Sequence, residues 1–241
     1  APPSVEYTSH EYTPLYYLVS AGVAQILGVG FLALRVVSFG AFLISLALLA
    51  GLVWRETRSV LWALVAVGLY AAPCGLVDGW YTTARADNLL VALFLVFLWA
   101  VERPGATGAE DARGWFDWRT AESKASIARA VLAGVLLFVA FFAKQSALMM
   151  SVPVLGYVFL RLPRRGALMG GVALVLVAGS TWVLNHKTDG WYGYYIVDLL
   201  RQQKLVPEHY AGFWLRDLGR HFLPALVLAL VGAGLALQRG E

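Results

Sequence analysis

The sequence has little charge: 14% of its 241 residues are Asp, Glu, Lys or Arg, whereas 59% are hydrophobic. Soluble domains carry about 25% charged residues, so this composition excludes an ordinary soluble globular protein. Cys74 is the only cysteine, which excludes an internal disulfide. The glycine-rich stretches of the sequence lie inside apolar runs and are not followed by the Lys and Ser or Thr of a phosphate loop, so they are not phosphate-binding loops. We find no nucleic-acid-binding motif and no cofactor fingerprint.

Long apolar runs make up most of the sequence, and its mean hydropathy is +0.66. These runs are long enough for helices that cross a hydrocarbon core of about 30 Å, and they lack the alternation of a membrane barrel. The sequence therefore predicts an all-α membrane protein, with residues 1–241 forming a single transmembrane helical domain. Seven spanning helices are predicted, at residues 33–54, 60–79, 85–101, 126–143, 146–160, 167–184 and 222–238.

Two local features refine this assignment. The apolar stretch 126–160 would measure about 52 Å as one helix, too long for a single crossing, so we predict a break at "AKQS", residues 143–146. Residues 1–32 are predicted to be an outer tail and a juxtamembrane helix that starts just after Pro14. Tyr12, Tyr16 and Tyr17 would then lie at the depth of the lipid headgroups.

The basic residues of the short loops indicate the orientation. Lys and Arg concentrate in "WRETRS", in the loop 102–125, in "RLPRRG" and in the terminal "QRGE", which alternate onto one face. The positive-inside rule makes that face cytoplasmic. The sequence thus predicts a multi-pass protein of the inner (plasma) membrane, with its N-terminus outside, its C-terminus in the cytoplasm and an outer loop at 185–221. An outer N-terminus indicates a removed signal peptide or a longer protein.

Ionisable residues at the outer face are candidates for function. Arg85 and Asp87 lie at the start of the predicted span 85–101. Two residues apart on a helix, they would point in different directions and would not pair well with each other. Asp87 and Asn88 are equally suited to cap that helix, and Lys144 is suited to an exposed turn. For the aromatic cluster "GWYGYYIVDLL" an interfacial belt is favoured over a sugar platform. The four histidines show no metal-site spacing.

Three outer segments carry a resemblance to a known family. "EYTPLYYL", "TARADNLL" and "FFAKQSALMMSVPVLGY" occur in this order. They resemble the juxtamembrane, Leu-Ala-Arg-x-Asp and Thr-Lys-Gly-Pro segments of the membrane glycosyltransferases of the GT-C class, which use polyprenyl-phosphate sugars. That family includes the protein O-mannosyltransferases and the aminoarabinose transferase that modifies lipid A. The resemblance covers essentially the whole chain.

The resemblance implies an inverting transfer of a sugar from a polyprenyl-phosphate donor to an acceptor on the outer face. Asp87 and Glu11 would be the carboxylates that contact the acceptor or a metal. Whether a divalent metal is needed is left open. The membrane lipid and the donor sugar are the implied partners, together with further membrane subunits and without nucleic acid. The implied substrate-binding residues are Arg85, Lys144, Tyr16, Tyr17, Lys187 and Arg201.

The chain also departs from the family pattern. Tyr12 stands where the family has Lys, Thr13 replaces a Pro, and Gln145 and Ser146 replace Gly and Pro. The family has a first helix and an outer loop with the Asp usually assigned as base, and several C-terminal helices, none of which matches here. These departures keep open the alternative of a non-catalytic transmembrane subunit or scaffold. A transporter is less favoured, because the ionisable residues gather at helix ends and no repeat is evident.

Overall fold

The computed structural model describes residues 12–75, 83–101, 124–202, 212–214, 219 and 222–239. Within these residues every regular element is a helix, which confirms the predicted all-α class. We number the longer helices in chain order as α1 Leu15–Leu27, α2 Phe31–Thr57, α3 Val60–Ala71, α4 Asp87–Ala100, α5 Lys124–Ala143, α6 Ala147–Arg161 and α7 Pro163–Lys187. A helical segment α8 comes next, over residues 191–201, and α9 is Leu223–Arg239.

Among the residues that the structure describes, three helices are long and apolar enough to cross a membrane. They are α2, α5 and α7, with 27, 20 and 25 residues and segment hydropathies of 2.5, 2.2 and 2.0. The apolar stretches of α1, α3, α4, α6 and α9 are shorter, at 10–17 residues. Length and composition therefore support a membrane protein, whereas the count of seven spans and the orientation stay predictions.

Several predicted helix ends are confirmed. Helix α1 begins directly after Pro14. Helix α5 ends at Ala143 and α6 begins at Ala147, so the long apolar stretch breaks at the predicted polar site. The turn between them is closed by the backbone N–H of Ala147, which donates to the carbonyl of Lys144 at 3.1 Å. This turn places Lys144 at one end of the helix bundle.

Two predicted elements differ from the structure. Helix α3 ends at Ala71 instead of reaching residue 79, and a 3-10 turn, Ala72–Gly75, contains Pro73. Proline lacks the N–H that an α-helix interior needs, which explains the early end. The outer loop predicted to start at residue 185 is partly helical, because α7 continues to Lys187 and α8 lies directly after it.

Helix α8 is attached to the end of α7 by a tight contact. It begins as Trp191–Gly193, widens into a π-helical turn at Tyr194–Asp198 and ends as Leu199–Arg201. The backbone N–H of Gly193 donates to Oδ1 of Asn185 at 2.8 Å. A Cβ on Gly193 would lie only 2.8 Å from the same oxygen, so a larger residue would have to displace the side chain of Asn185.

The core of the bundle lies where α4, α5 and α7 meet. Phe97, Leu137 and Met169 are its largest fully buried side chains. Gly134 lets the backbones of α5 and α7 approach closely, since a Cβ at this position would lie 2.6 Å from the carbonyl oxygen of Met169 on α7. The helices that carry the candidate functional site are thus fixed by ordinary close packing.

The chain divides into two compact units, residues Ala1–Leu199 and Leu200–Glu241. The first contains α1 to α7 and the beginning of α8. The second contains α9, whose seventeen residues are mostly exposed where their side chains are described. All contacts of the candidate site lie in the first unit.

A buried hydroxyl, that of Ser38 on α2, joins three segments of the first unit. Its Oγ lies 2.9 Å from the hydroxyl of Tyr16 and also exchanges hydrogen bonds with the backbone of Arg85, donating to the carbonyl at 2.9 Å and accepting from the N–H at 3.2 Å. The side-chain amide of Asn88 donates to the carbonyl of Ser38 at 3.0 Å. Helices α1, α2 and the start of α4 are therefore held together by one polar network.

Replacing Ser38 by Ala is expected to lower the free energy of unfolding by about 1–3 kcal/mol, because buried groups of Arg85 and Tyr16 would lose a partner. Ser45→Ala is the matched control: Ser45 is also fully buried on α2, but its hydroxyl donates only within the helix, to Ala41 at 2.8 Å. The measurement is unfolding in detergent. Equal losses in the two variants would contradict a network role for Ser38.

Gly134→Ala is expected to destabilise the protein by about 1–3 kcal/mol, because the new methyl group meets a backbone carbonyl that cannot move away cheaply. Gly171→Ala on the neighbouring helix is the control, since nothing lies within 4 Å of a Cβ there. Thermal unfolding of both variants tests the close approach of α5 and α7. A Gly134→Ala protein as stable as the control would show that the helices are not packed this tightly.

Candidate functional site

Four polar side chains from three distant segments meet at one end of the bundle. Tyr12 precedes α1, Arg85 and Asp87 stand at the start of α4, and Lys144 comes directly after α5. The ammonium of Lys144 donates to Oδ1 of Asp87 at 2.5 Å, and Nε of Arg85 donates to Oδ2 at 3.1 Å. We call these four residues the Asp87 cluster.

The position of Arg85 outside the helix explains how it pairs with Asp87. Helix α4 begins at Asp87, so Arg85 has no helical constraint and its guanidinium reaches the carboxylate. The expectation that the two side chains would not pair is wrong for this reason. Asp87 does not cap the helix by a hydrogen bond, because Ala86 is the N-cap and both Asp87 oxygens accept from Arg85 and Lys144. Asp87 does lie in the first turn, where a carboxylate suits the helix dipole as expected.

The charges of the cluster are only partly exposed to solvent. The side chains of Lys144, Asp87 and Arg85 are 17%, 28% and 36% exposed. Two cations share one carboxylate within the cluster, so the formal charges of these four residues sum to +1. Partial burial makes electrostatic interactions stronger than in bulk water, and a positive site of this kind suits an anionic ligand such as a phosphate.

Tyr12 contacts both cations of the cluster. Nη2 of Arg85 donates to its hydroxyl at 3.3 Å, and the ammonium of Lys144 lies 4.9 Å from the centre of its ring. The second distance is within the range of a cation–π interaction. Tyr12 therefore helps to orient both cations without adding a charge to the cluster.

Thr13 explains why Tyr12 is held at this place. Its hydroxyl is buried and donates to the carbonyl of Phe141 at 2.7 Å. Phe141 belongs to the last turn of α5, where carbonyl groups have no partner within the helix. One hydrogen bond thus satisfies a helix end and ties the segment before α1 to the turn that carries Lys144.

An aromatic cavity of about 190 Å³ lies beside the cluster and shares Tyr12 with it. Its walls come from the start of α1, the end of α7 and α8. The lining residues are Tyr12, Pro14, Tyr17, Leu184, Thr188, Trp191, Tyr192 and Tyr195. The rings of Trp191 and Tyr195 are 6.1 Å apart, so the aromatic cluster predicted as an interfacial belt forms a wall of this cavity.

Tyr192 lines this largely apolar cavity, but its hydroxyl is buried beneath the cavity wall. Its oxygen is buried and has no hydrogen-bond partner among the described residues. Burial raises the pKa of Tyr192 to about 12, because the charged phenolate would be poorly solvated there. Tyr192 is therefore neutral at physiological pH and keeps its proton.

The other predicted site residues lie in different surroundings. Tyr16 is buried in the support of the cluster, where its hydroxyl bonds Leu34 and Ser38, whereas Tyr17 lines the cavity. Lys187 is exposed at the end of α7, and its ammonium forms no ion pair with a described residue. Arg201 is exposed and belongs to the second compact unit. Glu11 lies outside the described residues.

The sequence interpretation missed three contributions to the site. Tyr12 was considered as an interfacial residue and as a departure from the Lys of the family, but not as a member of the site. Ser38 was not considered, and Tyr192 was one of several clustered aromatic residues. The position of Tyr12 within the first of the three resembling segments was the available signal.

Among the described residues no three His, Cys, Asp or Glu side chains lie together as they would in a metal site, and both oxygens of Asp87 already accept hydrogen bonds from cations.

We expect the pair Asp87 and Lys144 to show a coupling energy of about 1–3 kcal/mol in a double-mutant cycle, because the pair is partly buried and hydrogen-bonded. The cycle uses Asp87→Asn, Lys144→Met and the double variant, with unfolding in detergent as the measurement. Arg55 and Glu56 provide the control cycle: this pair is 3.8 Å apart and more exposed, so its coupling should be below about 0.5 kcal/mol. Equal couplings would mean that the cluster pair is no stronger than an ordinary surface pair.

The chain was compared with models of protein families, with curated proteins and with solved structures, and none of them matches. The resemblance to membrane glycosyltransferases therefore stays a prediction from the quoted segments. The function of the protein has to be inferred from the geometry of the Asp87 cluster and the aromatic cavity.

Proposed function

We propose that this protein is a membrane glycosyltransferase that moves a sugar from a polyprenyl-phosphate donor to an acceptor on the outer face of the membrane. One observation carries the proposal: the three segments that resemble the family contribute Tyr12, Arg85, Asp87 and Lys144 to a single cluster. Segments that matched by chance would have no reason to meet at one end of the bundle.

The chemistry of the transfer fits the charges of the cluster. An acceptor hydroxyl attacks the anomeric carbon, its proton leaves to a base, and the bond to the lipid phosphate breaks with its electron pair on phosphate. The departing phosphate gains negative charge, which Arg85 and Lys144 compensate from fixed positions. Arg85 can offer a fork of two donors, whereas Lys144 acts as a point charge.

Asp87 serves in this proposal as a positioning residue. Its two carboxylate oxygens accept hydrogen bonds from Lys144 and Arg85, which fixes both cations before a donor binds. Preorganised charges of this kind need no rearrangement as the phosphate departs. The proposed contact of Asp87 with the acceptor or a metal would come in addition, and Glu11 stays the second proposed carboxylate.

The proposal includes the predicted topology. Seven spans, an outer N-terminus and a cytoplasmic C-terminus would place the Asp87 cluster at the outer surface of the plasma membrane, where a lipid-linked donor could present its phosphate. The three long apolar helices support the membrane setting. Access from the lipid would be direct, because the cluster stands at helix ends instead of at the centre of the bundle.

The alternative is a non-catalytic membrane subunit or scaffold in which the cluster is a structural ion network. A specific observation favours it. Asp87 already pairs with two cations, so its partly buried charge is compensated without a ligand. The two functions differ in whether the cluster also accepts a lipid phosphate.

Transfer from a polyprenyl-phosphate hexose should fall by about 100-fold or more in Arg85→Ala and in Lys144→Ala, because each variant removes a cation that stabilises the departing phosphate. The assay measures polyprenyl phosphate released by the full chain in native membranes, which also supply the acceptor. Lys124→Ala is the matched control, since Lys124 begins α5 at the end opposite Lys144.

Binding of polyprenyl phosphate to the purified chain separates the two functions. The transferase is supported if the wild-type protein binds polyprenyl phosphate and transfers the sugar, and if Arg85→Ala and Lys144→Ala lose both properties. Absence of both binding and turnover favours the non-catalytic subunit, in which the cluster is a structural ion network. Unchanged turnover in both variants would remove the Asp87 cluster from the mechanism.

A further inference from the structure

The aromatic cavity and the Asp87 cluster are two halves of one surface. Tyr12 belongs to both: its hydroxyl and ring contact Arg85 and Lys144, and the same residue lines the cavity. A ligand with an anionic group at the two cations would therefore place its next chemical group against Tyr12. The group that is covalently attached to the anion would therefore occupy the cavity.

We propose that the cavity binds the sugar ring of the lipid-phosphate donor, with Tyr12 as the wall shared by the phosphate and sugar subsites. This inference rests on the proposed transferase function. It assigns a sugar platform to the aromatic cluster of α8, with Trp191 and Tyr192 as its specificity-determining residues.

The size of the cavity suits one small ring. Its volume of about 190 Å³ is below the range of about 300–1,000 Å³ typical of pockets for drug-sized ligands. Five of its eight lining residues are Tyr or Trp. Their flat faces match the C–H face of a pyranose ring, whose polar hydroxyl groups point outward from its edge. A polyprenyl chain is much longer than this cavity.

The polar groups of the cavity favour a hydroxylated ligand over a hydrocarbon. The buried hydroxyl of Tyr192 has no hydrogen-bond partner among the described residues, a state that costs free energy in an apolar setting. A sugar hydroxyl would satisfy it once the ring of Tyr192 turns to open the oxygen to the cavity, whereas a lipid chain would leave it unsatisfied. Thr188 also lines the cavity, and its hydroxyl both donates to Leu184 and accepts from the N–H of Tyr192.

Tyr12 also separates this chain from the family that it resembles. That family has Lys at the corresponding position, so Tyr12 replaces a cation by a neutral phenol next to the proposed sugar. The ring still faces Lys144 and the hydroxyl still meets Arg85. Tyr12 thus keeps the two remaining cations in place and adds an aromatic face to the sugar subsite.

The experiment compares two probes, farnesyl phosphate and farnesyl-phosphate glucose, in equilibrium binding to the purified full chain in lipid nanodiscs. The wild-type protein should bind the sugar-bearing probe about tenfold more tightly, as expected for one stacked ring. Trp191→Ala should abolish this difference and leave the affinity for farnesyl phosphate within about twofold. Tyr192→Phe should reduce the difference by about threefold or more, because it removes only the hydroxyl.

Two further variants act as controls. Trp54→Ala removes a tryptophan that stacks with Arg58 near the end of α2 and should change neither affinity. Lys144→Ala should weaken both probes, because it removes the phosphate subsite. Thermal unfolding confirms that each variant is folded, and Tyr192→Phe tests the subsite with the least structural change.

The outcomes separate this inference from the proposed function. Equal binding of both probes by the wild-type protein overturns the sugar subsite and leaves the phosphate site standing. A loss of farnesyl phosphate binding in Trp191→Ala as large as the loss for the glucose probe assigns the cavity to the lipid chain and also overturns the inference. Absence of binding to either probe overturns the proposed function itself.

Discussion

The carboxylate of Asp87 is the contact on which the candidate site depends. It accepts hydrogen bonds from Lys144, in the turn between α5 and α6, and from Arg85, just before α4. Without this negative charge two cations would face each other in a partly buried place, where repulsion is stronger than in water. With it, the two cations are held close together in fixed positions.

The surrounding structure serves to keep these groups in place. Ser38 fixes the backbone of Arg85 against α2, and Thr13 ties the segment before α1 to the last turn of α5. Neither residue touches the charges directly. Both act by satisfying backbone groups at helix ends, where the chain changes direction and would otherwise leave donors and acceptors without partners. The precision of the cluster is therefore a property of the polar network beneath it.

The local features of the fold could be predicted because each has a local cause. The break between α5 and α6 results from the length of the apolar stretch and its polar interruption at 143–146, and α1 starts after Pro14 as expected. The early end of α3 at Ala71 was missed although Pro73 was visible, because hydropathy alone decided the predicted boundary. The helical nature of α8 was missed because its aromatic residues show no helical period in apolar and polar positions.

The candidate site was only half predictable. Its charged residues were evident, since ionisable groups beside apolar runs are costly and stand out in the sequence. Their partners were not, and pairing of Arg85 with Asp87 was rejected by applying helical spacing to a residue that precedes the helix. The capping role expected of Asp87 failed for a related reason: a carboxylate at a helix start has several possible partners, and Lys144, distant in the sequence, provides the stronger one.

The sequence by itself determined the class of the protein, because composition and the length of apolar runs leave few ways to satisfy backbone groups other than helices. It also determined where the chain must turn and which residues carry charge. Only the tertiary structure decided that Tyr12 lies between the two cations and the aromatic cavity. That position results from hydrogen bonds between residues far apart in the chain, such as Thr13 with Phe141, and no local pattern of residues encodes a contact over that separation.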